Sequence, residues 1–212
     1  MPDRPIRLHR FSYSGHCHRV EWLLSLLELP FEAVDVNLAG GEHKRAPFLA
    51  LNPFGEVPVI EDGALVLGDS NAILVYLAQR YGDVRWKLES PALAAEQQRW
   101  FSVAAGSLAA GPAAARAARV FHRPVDVALA QQKAHALFRV MNARLAERAY
   151  LLGAELTLAD VANYAYSARA PEGGISLDEY AHLRAWLARI EATPRFVAMP
   201  AVPISLVSSS HA

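Results

Sequence analysis

Hydrophobic and polar positions change their period along the chain. Ile6 to Tyr13 reads as a first strand. Val20, Leu23, Leu24 and Leu27 then recur at i, i+3, i+4 and i+7, one face of a helix, and Pro30 stops it. Phe31 to Val36 alternates as a second strand, Gly40-Gly41 breaks the pattern, and Ala46 to Leu51 predicts a short helix before Pro53. Val57–Ile60 and Ala64–Leu67 flank Asp62-Gly63, a dipeptide suited to a tight hairpin turn. A helix begins near Asp69-Ser70, buries Ile73, Leu74, Tyr76 and Leu77, and ends at Tyr81-Gly82. The order β-α-β-(α)-β-β-α predicts a mixed sheet covered by helices.

Near residue 84 the text becomes rich in Ala, Leu and Arg, with helical spacing throughout. Helices are expected over 91–110, 125–149, 157–169 and 178–191, with a short one after Thr193-Pro194. Thr157-Leu158-Ala159-Asp160 has the form of a capping box, and Thr193-Pro194 that of an N-cap followed by proline at the first helical position. Met199 to Ala212 carries two prolines and Ser-Ser-Ser and reads as irregular. The expected division is a sheet-containing domain over 1–83, a linker over 84–92, an all-helical domain over 93–200 and an irregular tail over 201–212.

Composition narrows the function classes. The 212 residues hold 21 basic and 21 acidic side chains, with pI ≈ 7.1, so no polybasic face invites nucleic acid. A hydrophobic content of 53% argues for a packed core and against disorder. One cysteine excludes an internal disulfide framework, a cysteine-only metal site and a Cys-x-x-Cys redox motif. Met1 to Arg10 has no apolar signal region, and the uncharged run Phe101 to Ala115 is interrupted by Gly106, Gly111 and Pro112. The expectation is a cytoplasmic protein without a membrane segment.

Four stretches of the first domain carry chemistry. Ser12 to Val20 lies at a strand-to-helix turn, where unpaired amides and a positive helix end favour anions. A serine there either donates to a thiolate or phosphate, or simply caps the helix; Ser14 is the candidate. Cys17, three residues on, is open to two readings: a thiol activated by the helix end, or a small buried hydrophobe. His16 and His18, two apart, face different sides of a helix and have no carboxylate cluster, so no metal site is expected. Gly41-Glu42-His43-Lys44 reads as a solvated loop. In Asn52-Pro53-Phe54-Gly55-Glu56-Val57-Pro58, Pro58 is either an ordinary edge proline or, if cis, lets Val57 offer its backbone to a ligand. Asp69 and Ser70, at a helix start, suit an ammonium and a carboxylate, or serve as an ordinary cap.

Taken in this order and spacing, these stretches resemble the cytosolic glutathione S-transferases, most closely the serine-type phi and theta-like members, over nearly the whole chain. The resemblance implies an α/β thioredoxin-like N-terminal domain followed by an all-α C-terminal domain. It implies a transferase with glutathione as co-substrate, no metal, a small hydrophobic electrophile as second substrate, and a homodimer. Ser14 would hold the glutathione sulfur. His43 and Lys44 would meet the glycyl carboxylate, and Val57, beside a cis Pro58, would pair with the cysteinyl backbone. Asp69 would take the ammonium and Ser70 the carboxylate of the γ-glutamyl end. Glu56 departs from the family's usual glutamine, and Asp69 from its usual glutamate. Trp100, Phe101, Val103, Ala104, Ser107, Leu108, Phe121, Tyr164 and Tyr166 are candidates for the electrophile site, with core packing the alternative. Phe54 is a candidate dimer key. Other glutathione-dependent activities (peroxidase, isomerase, dehalogenase or disulfide reductase) and a non-catalytic binding role are the alternatives on the same scaffold.

Overall fold

The computed structural model describes residues 1–202. The chain forms two compact units, one of Met1–Leu88 with Pro194–Met199, the other of Glu89–Thr193 with the described residues from Pro200 on. The first unit is built on strands β1 (Ile6–Arg10), β2 (Phe31–Asp35), β3 (Val59–Asp62) and β4 (Leu65–Gly68), in the order β2-β1-β3-β4. Helix α1 (Gly15–Leu26) returns the chain so that β2 runs parallel to β1. The Asp62-Gly63 turn makes β4 antiparallel to β3, with Gly63 at φ 61. Helix α3 (Ser70–Tyr81) packs beside α1, and the short α2 (Ala46–Leu51) covers the other side of β1. There Phe48 of α2 meets His9 edge-on and joins Val36 and Val59 in a buried cluster.

The first strand is shorter than its apolar pattern. It ends at Arg10, because Phe11 and Ser14 close a turn through Ser14 N–H to Phe11 O (2.9 Å). The third strand begins at Val59 rather than Val57, because Pro58 has no N–H for the ladder.

The second unit is helical. Helix α4 (Pro91–Val103) widens to π geometry over Ala104–Ala113 and continues as α5 (Ala114–Phe121), one unbroken run where the expected helix stopped at 110. Gly111 lets α6 (Val127–Leu145) come close: a Cβ there would stand 2.9 Å from Ala134 N. Helix α7 (Leu158–Ala168) starts at the Thr157–Asp160 capping box, and α8 (Ala181–Glu191) follows. Asp160 is fully buried and accepts four hydrogen bonds, from Leu151 N, Thr157 N, Thr157 Oγ1 and Trp186 Nε1, at 2.8–2.9 Å. Burial pushes its carboxyl upward while those donors pull against it.

Among the described residues no helix follows Thr193-Pro194. Thr193 Oγ1 donates back to Ile190 O at 2.7 Å, ending α8, instead of capping a new helix. The tail expected over 201–212 lies, beyond Val202, outside the described residues. Among the described residues no helix is long and apolar enough to cross a membrane.

Candidate functional site

Strand register decides which loops meet. Val59 of β3 pairs with His9 near the C-terminal end of β1, and with Gly68 at the end of β4. The residues just outside these pairs therefore emerge at one end of the sheet: Phe11 to Ser14 after β1, Val57-Pro58 before β3, and Asp69-Ser70 after β4.

Ser14 is the N-cap of α1, with extended backbone (φ −91, ψ 122). Its Oγ accepts from Cys17 N–H at a long 3.4 Å, so the cap bond is weak. The hydroxyl proton is not used by that bond. Cys17 is buried at 1% exposure, its Sγ 3.4 Å from Phe11 N–H, and burial pushes its thiol up to about 11. That decides between the two readings of Cys17: it is a packed hydrophobe and not an activated thiol.

The N-terminal turns of α1 and α3 are tied together by a residue to which the sequence assigned no role. Arg19, 1% exposed, donates from Nη1 to Ser70 Oγ (3.2 Å) and Asn71 Oδ1 (2.9 Å). Ser70 Oγ also stands 3.5 Å from His16 Nδ1. Burial first, and then the Arg19 charge, holds the His16 imidazole down to about 3, so it is neutral at working pH. Arginine cannot accept a hydrogen bond, so Ser70 accepts from it and keeps its own proton to donate. The signal for Arg19 was a charge four residues before Leu23, on the apolar stripe itself. Asp69 is exposed, caps α3 through Ala72 N–H at 2.8 Å, and sits at φ 67.

The second group is organised by Asn52, also missed. It is 6% exposed; its Nδ2 donates to Glu56 O (2.8 Å) and its Oδ1 accepts from Phe54 N–H (3.2 Å). Its amide packs where a Cβ on Gly68 would be, which sets the 52–58 loop against the β4–α3 corner. Exposed Lys44 donates from Nζ to Phe54 O (3.1 Å) and Gly55 O (2.8 Å). Gly55, at φ 60, has to be glycine: a Cβ would lie 2.7 Å from His43 O. His43 is half-buried in the same turn, and Glu56 is exposed. The Val57–Pro58 peptide is cis, Pro58 is buried, and Val57 forms no backbone hydrogen bond among the described residues.

Ser14, Val57, Pro58, Asp69 and Ser70 are thus brought to one sheet end, with His43, Lys44 and Glu56 attached through the Asn52 loop. Together they offer hydroxyl donors, two helix N-termini, an ammonium and an unpaired extended backbone. That set suits a short extended peptide with carboxylates at its ends. Of the electrophile-site candidates, Trp100, Phe101, Ala104, Leu108, Tyr164 and Tyr166 are buried, Val103 and Phe121 half-buried, and Ser107 exposed. Tyr164 donates to Glu191 Oε1 at 2.9 Å, and burial raises its phenol. Among the described residues no group of three or more His, Cys, Asp or Glu is placed to hold a metal.

Comparison with known proteins places both parts of the chain in one family. The model of the glutathione S-transferase N-terminal domain matches residues 8–85, and that of the C-terminal domain residues 105–194. Glutathione S-transferase 3 of Zea mays is 35% identical over 223 residues, covering 98% of this chain and 99% of that protein. A solved glutathione S-transferase from Pseudomonas fluorescens superposes with a TM-score of 0.87 at 31% identity, over 92% of this chain and 99% of that one. A glutathione S-transferase-I bound with the ligand lactoylglutathione gives 0.78 at 28% identity, over 91% and 96%.

Proposed function

The chain belongs to the glutathione S-transferase family, and from that premise we propose that Ser14 holds the sulfur of bound glutathione as a thiolate for attack on a small hydrophobic electrophile. The observation that carries the reading is the placement of Ser14, whose proton the Cys17 bond does not use, at the helix N-terminus level with Val57 and Ser70.

The energetics are sufficient. A free thiol titrates near ~8.5, and lowering it by ~2 units takes about 2.7 kcal/mol of preference for the anion. A hydrogen bond to a charged group contributes about 1.5–3 kcal/mol. A helix N-terminus adds about 0.3–1 kcal/mol. The thiolate then forms a carbon–sulfur bond to the electrophile; in substitution the broken bond's pair departs with the leaving group, and in conjugate addition the π pair shifts onto the adjoining electron-withdrawing atom, which solvent protonates. No covalent enzyme intermediate is required, in keeping with a Cys17 that is buried and protonated.

The remaining residues fix the peptide. Val57 pairs its backbone with the cysteinyl unit beside Pro58. Ser70 donates to the γ-glutamyl carboxylate, and Asp69 takes the ammonium. Two of the three Lys44 protons go to Phe54 and Gly55 carbonyls, which leaves one for the glycyl carboxylate beside His43. Glu56 joins the glutathione-binding set in place of the family's usual glutamine, with a carboxylate that repels the peptide's own carboxylates. The reading includes a cytoplasmic homodimer keyed by Phe54, which is 79% exposed.

The test is a titration with reduced glutathione, following thiolate absorbance and heat. Saturable binding with a thiolate signal at neutral pH, and a 10- to 100-fold loss of conjugation in Ser14→Ala, are expected on the scale of one charge-assisted bond. Unchanged conjugation in Ser14→Ala would remove Ser14 from the role, and no binding at millimolar glutathione would overturn the whole reading.

A further inference from the structure

After the helical unit the chain returns to the first one, and Pro194–Met199 lies against α1. The contacts run in reverse order. His18 Nε2 meets Val197 O at 2.6 Å, the Trp22 and Phe196 rings meet edge-on at 5.6 Å, and Ser25 Oγ donates to Arg195 O at 3.0 Å. Past the helix, Arg195 pairs with Glu28 at 2.6 Å, and both hold left-handed backbones (φ 63 and φ 57). His18, Trp22 and Ser25 stand at i, i+4 and i+7, one face of the helix. The segment is therefore an antiparallel strap along α1, with its far end nearest the turn that carries Ser14. Under it His18 is 2% exposed and Trp22 fully buried.

His18 is where the strap reaches the reactive end. Its backbone N–H makes the first bond of the helix, to Ser14 O at 2.9 Å, while its ring holds Val197. A carbonyl only accepts, so Nε2 carries the proton. Ser14 is also held by its own N–H bond to Phe11 O (2.9 Å) and by the weak Cys17 cap, and Arg19 ties the first turns of α1 to α3; the strap adds the hold on the His18 side.

We propose that His18 is a positioning residue for Ser14, and that the Pro194–Met199 strap holds it there. The proposal rests on the reading of Ser14 given above. A hydrogen bond to a thiolate weakens steeply as its angle opens, so a first turn free to shift stabilises the anion less.

The test measures the pH midpoint of thiolate formation on bound glutathione, with kcat, KM and Tm, in five variants. His18→Ala is expected to raise that midpoint by about 0.5–1 unit and lower kcat about 3- to 10-fold near neutrality, the scale of one lost hydrogen bond. KM for the electrophile stays within about two-fold. His18→Gln keeps an N–H donor and is expected to restore most of the shift. Phe196→Ala loosens the strap while leaving the His18 side chain in place and is expected to move the midpoint the same way, by about half as much; it carries the test if His18→Ala does not fold. In the Ser14→Ala background, His18→Ala should add nothing. A fall in Tm with an unmoved midpoint, or a shift that persists in the double variant, overturns the proposal. If Ser14→Ala alone leaves the midpoint where it was, it is the Ser14 reading that fails.

Discussion

Replacing Asp160 with Asn changes one atom at the most heavily bonded buried carboxylate of the helical unit. Its Oδ1 accepts from Leu151 N–H and Trp186 Nε1–H, and its Oδ2 from Thr157 N–H and Thr157 Oγ1–H. An asparagine keeps one acceptor and turns an NH2 toward the other pair. Facing Leu151 and Trp186, it would orphan two donors that cannot reverse. Facing Thr157, the hydroxyl rotates and accepts, and only the Thr157 amide is orphaned. The second arrangement is favoured. It costs about 1–3 kcal/mol for the orphaned amide, plus about 1 kcal/mol as the two Oδ1 bonds lose their charge assistance. The expected loss is about 2–4 kcal/mol, or about 5–15 °C in Tm for a chain of this length. Urea denaturation monitored by tryptophan fluorescence measures it. Asp160→Ala leaves four donors without an acceptor and falls further. A loss under about 1 kcal/mol in Asp160→Asn would refute the reasoning, because it would mean that water or a relaxed α7 start satisfies those donors.

Lys44→Ala removes two contacts to the 52–58 loop as well as the carboxylate partner, so KM for glutathione should rise about 5- to 20-fold, with kcat nearly unchanged at saturation. Gly55→Ala forces a Cβ onto His43 O at a positive φ; calorimetry should show a several-fold loss of glutathione affinity and a lower Tm. Cys17 should resist a thiol reagent near neutral pH and react once the chain is unfolded. With its thiol raised from 9.0 to about 11, stability is intact below about pH 9 and falls as pH rises toward 11. Cys17→Ala should flatten that limb of the stability–pH curve.

Much of the local structure was legible. The i, i+3, i+4, i+7 stripe of α1, the Asp62-Gly63 turn and the Thr157–Asp160 box are statements about neighbours, and the structure carries all three. Errors fell where two local rules competed. Thr193-Pro194 has the residues of a helix start, but the Thr193 hydroxyl closes α8. Gly106, Gly111 and Pro112 read as breaks, yet the helix widens through them and runs on to Phe121, because α6 packs tightly along it. The buried state of Cys17 was undecidable from a helix position that points either way.

The sequence by itself determined the periods, the caps, the turn glycines and the supply of hydroxyls, carboxylates and one ammonium, since each depends on residues within about four positions. Only the tertiary structure decided that Ser14, Val57 and Ser70 share a sheet end, because that follows from pairing His9 with Val59 and Val59 with Gly68, some 50 residues away from β1. It also decided that Arg19 spans two helix starts, that Asn52 anchors the loop, and that Pro194–Met199 lies along α1. Such contacts join positions far apart in the chain, and no local pattern encodes the partner that burial selects.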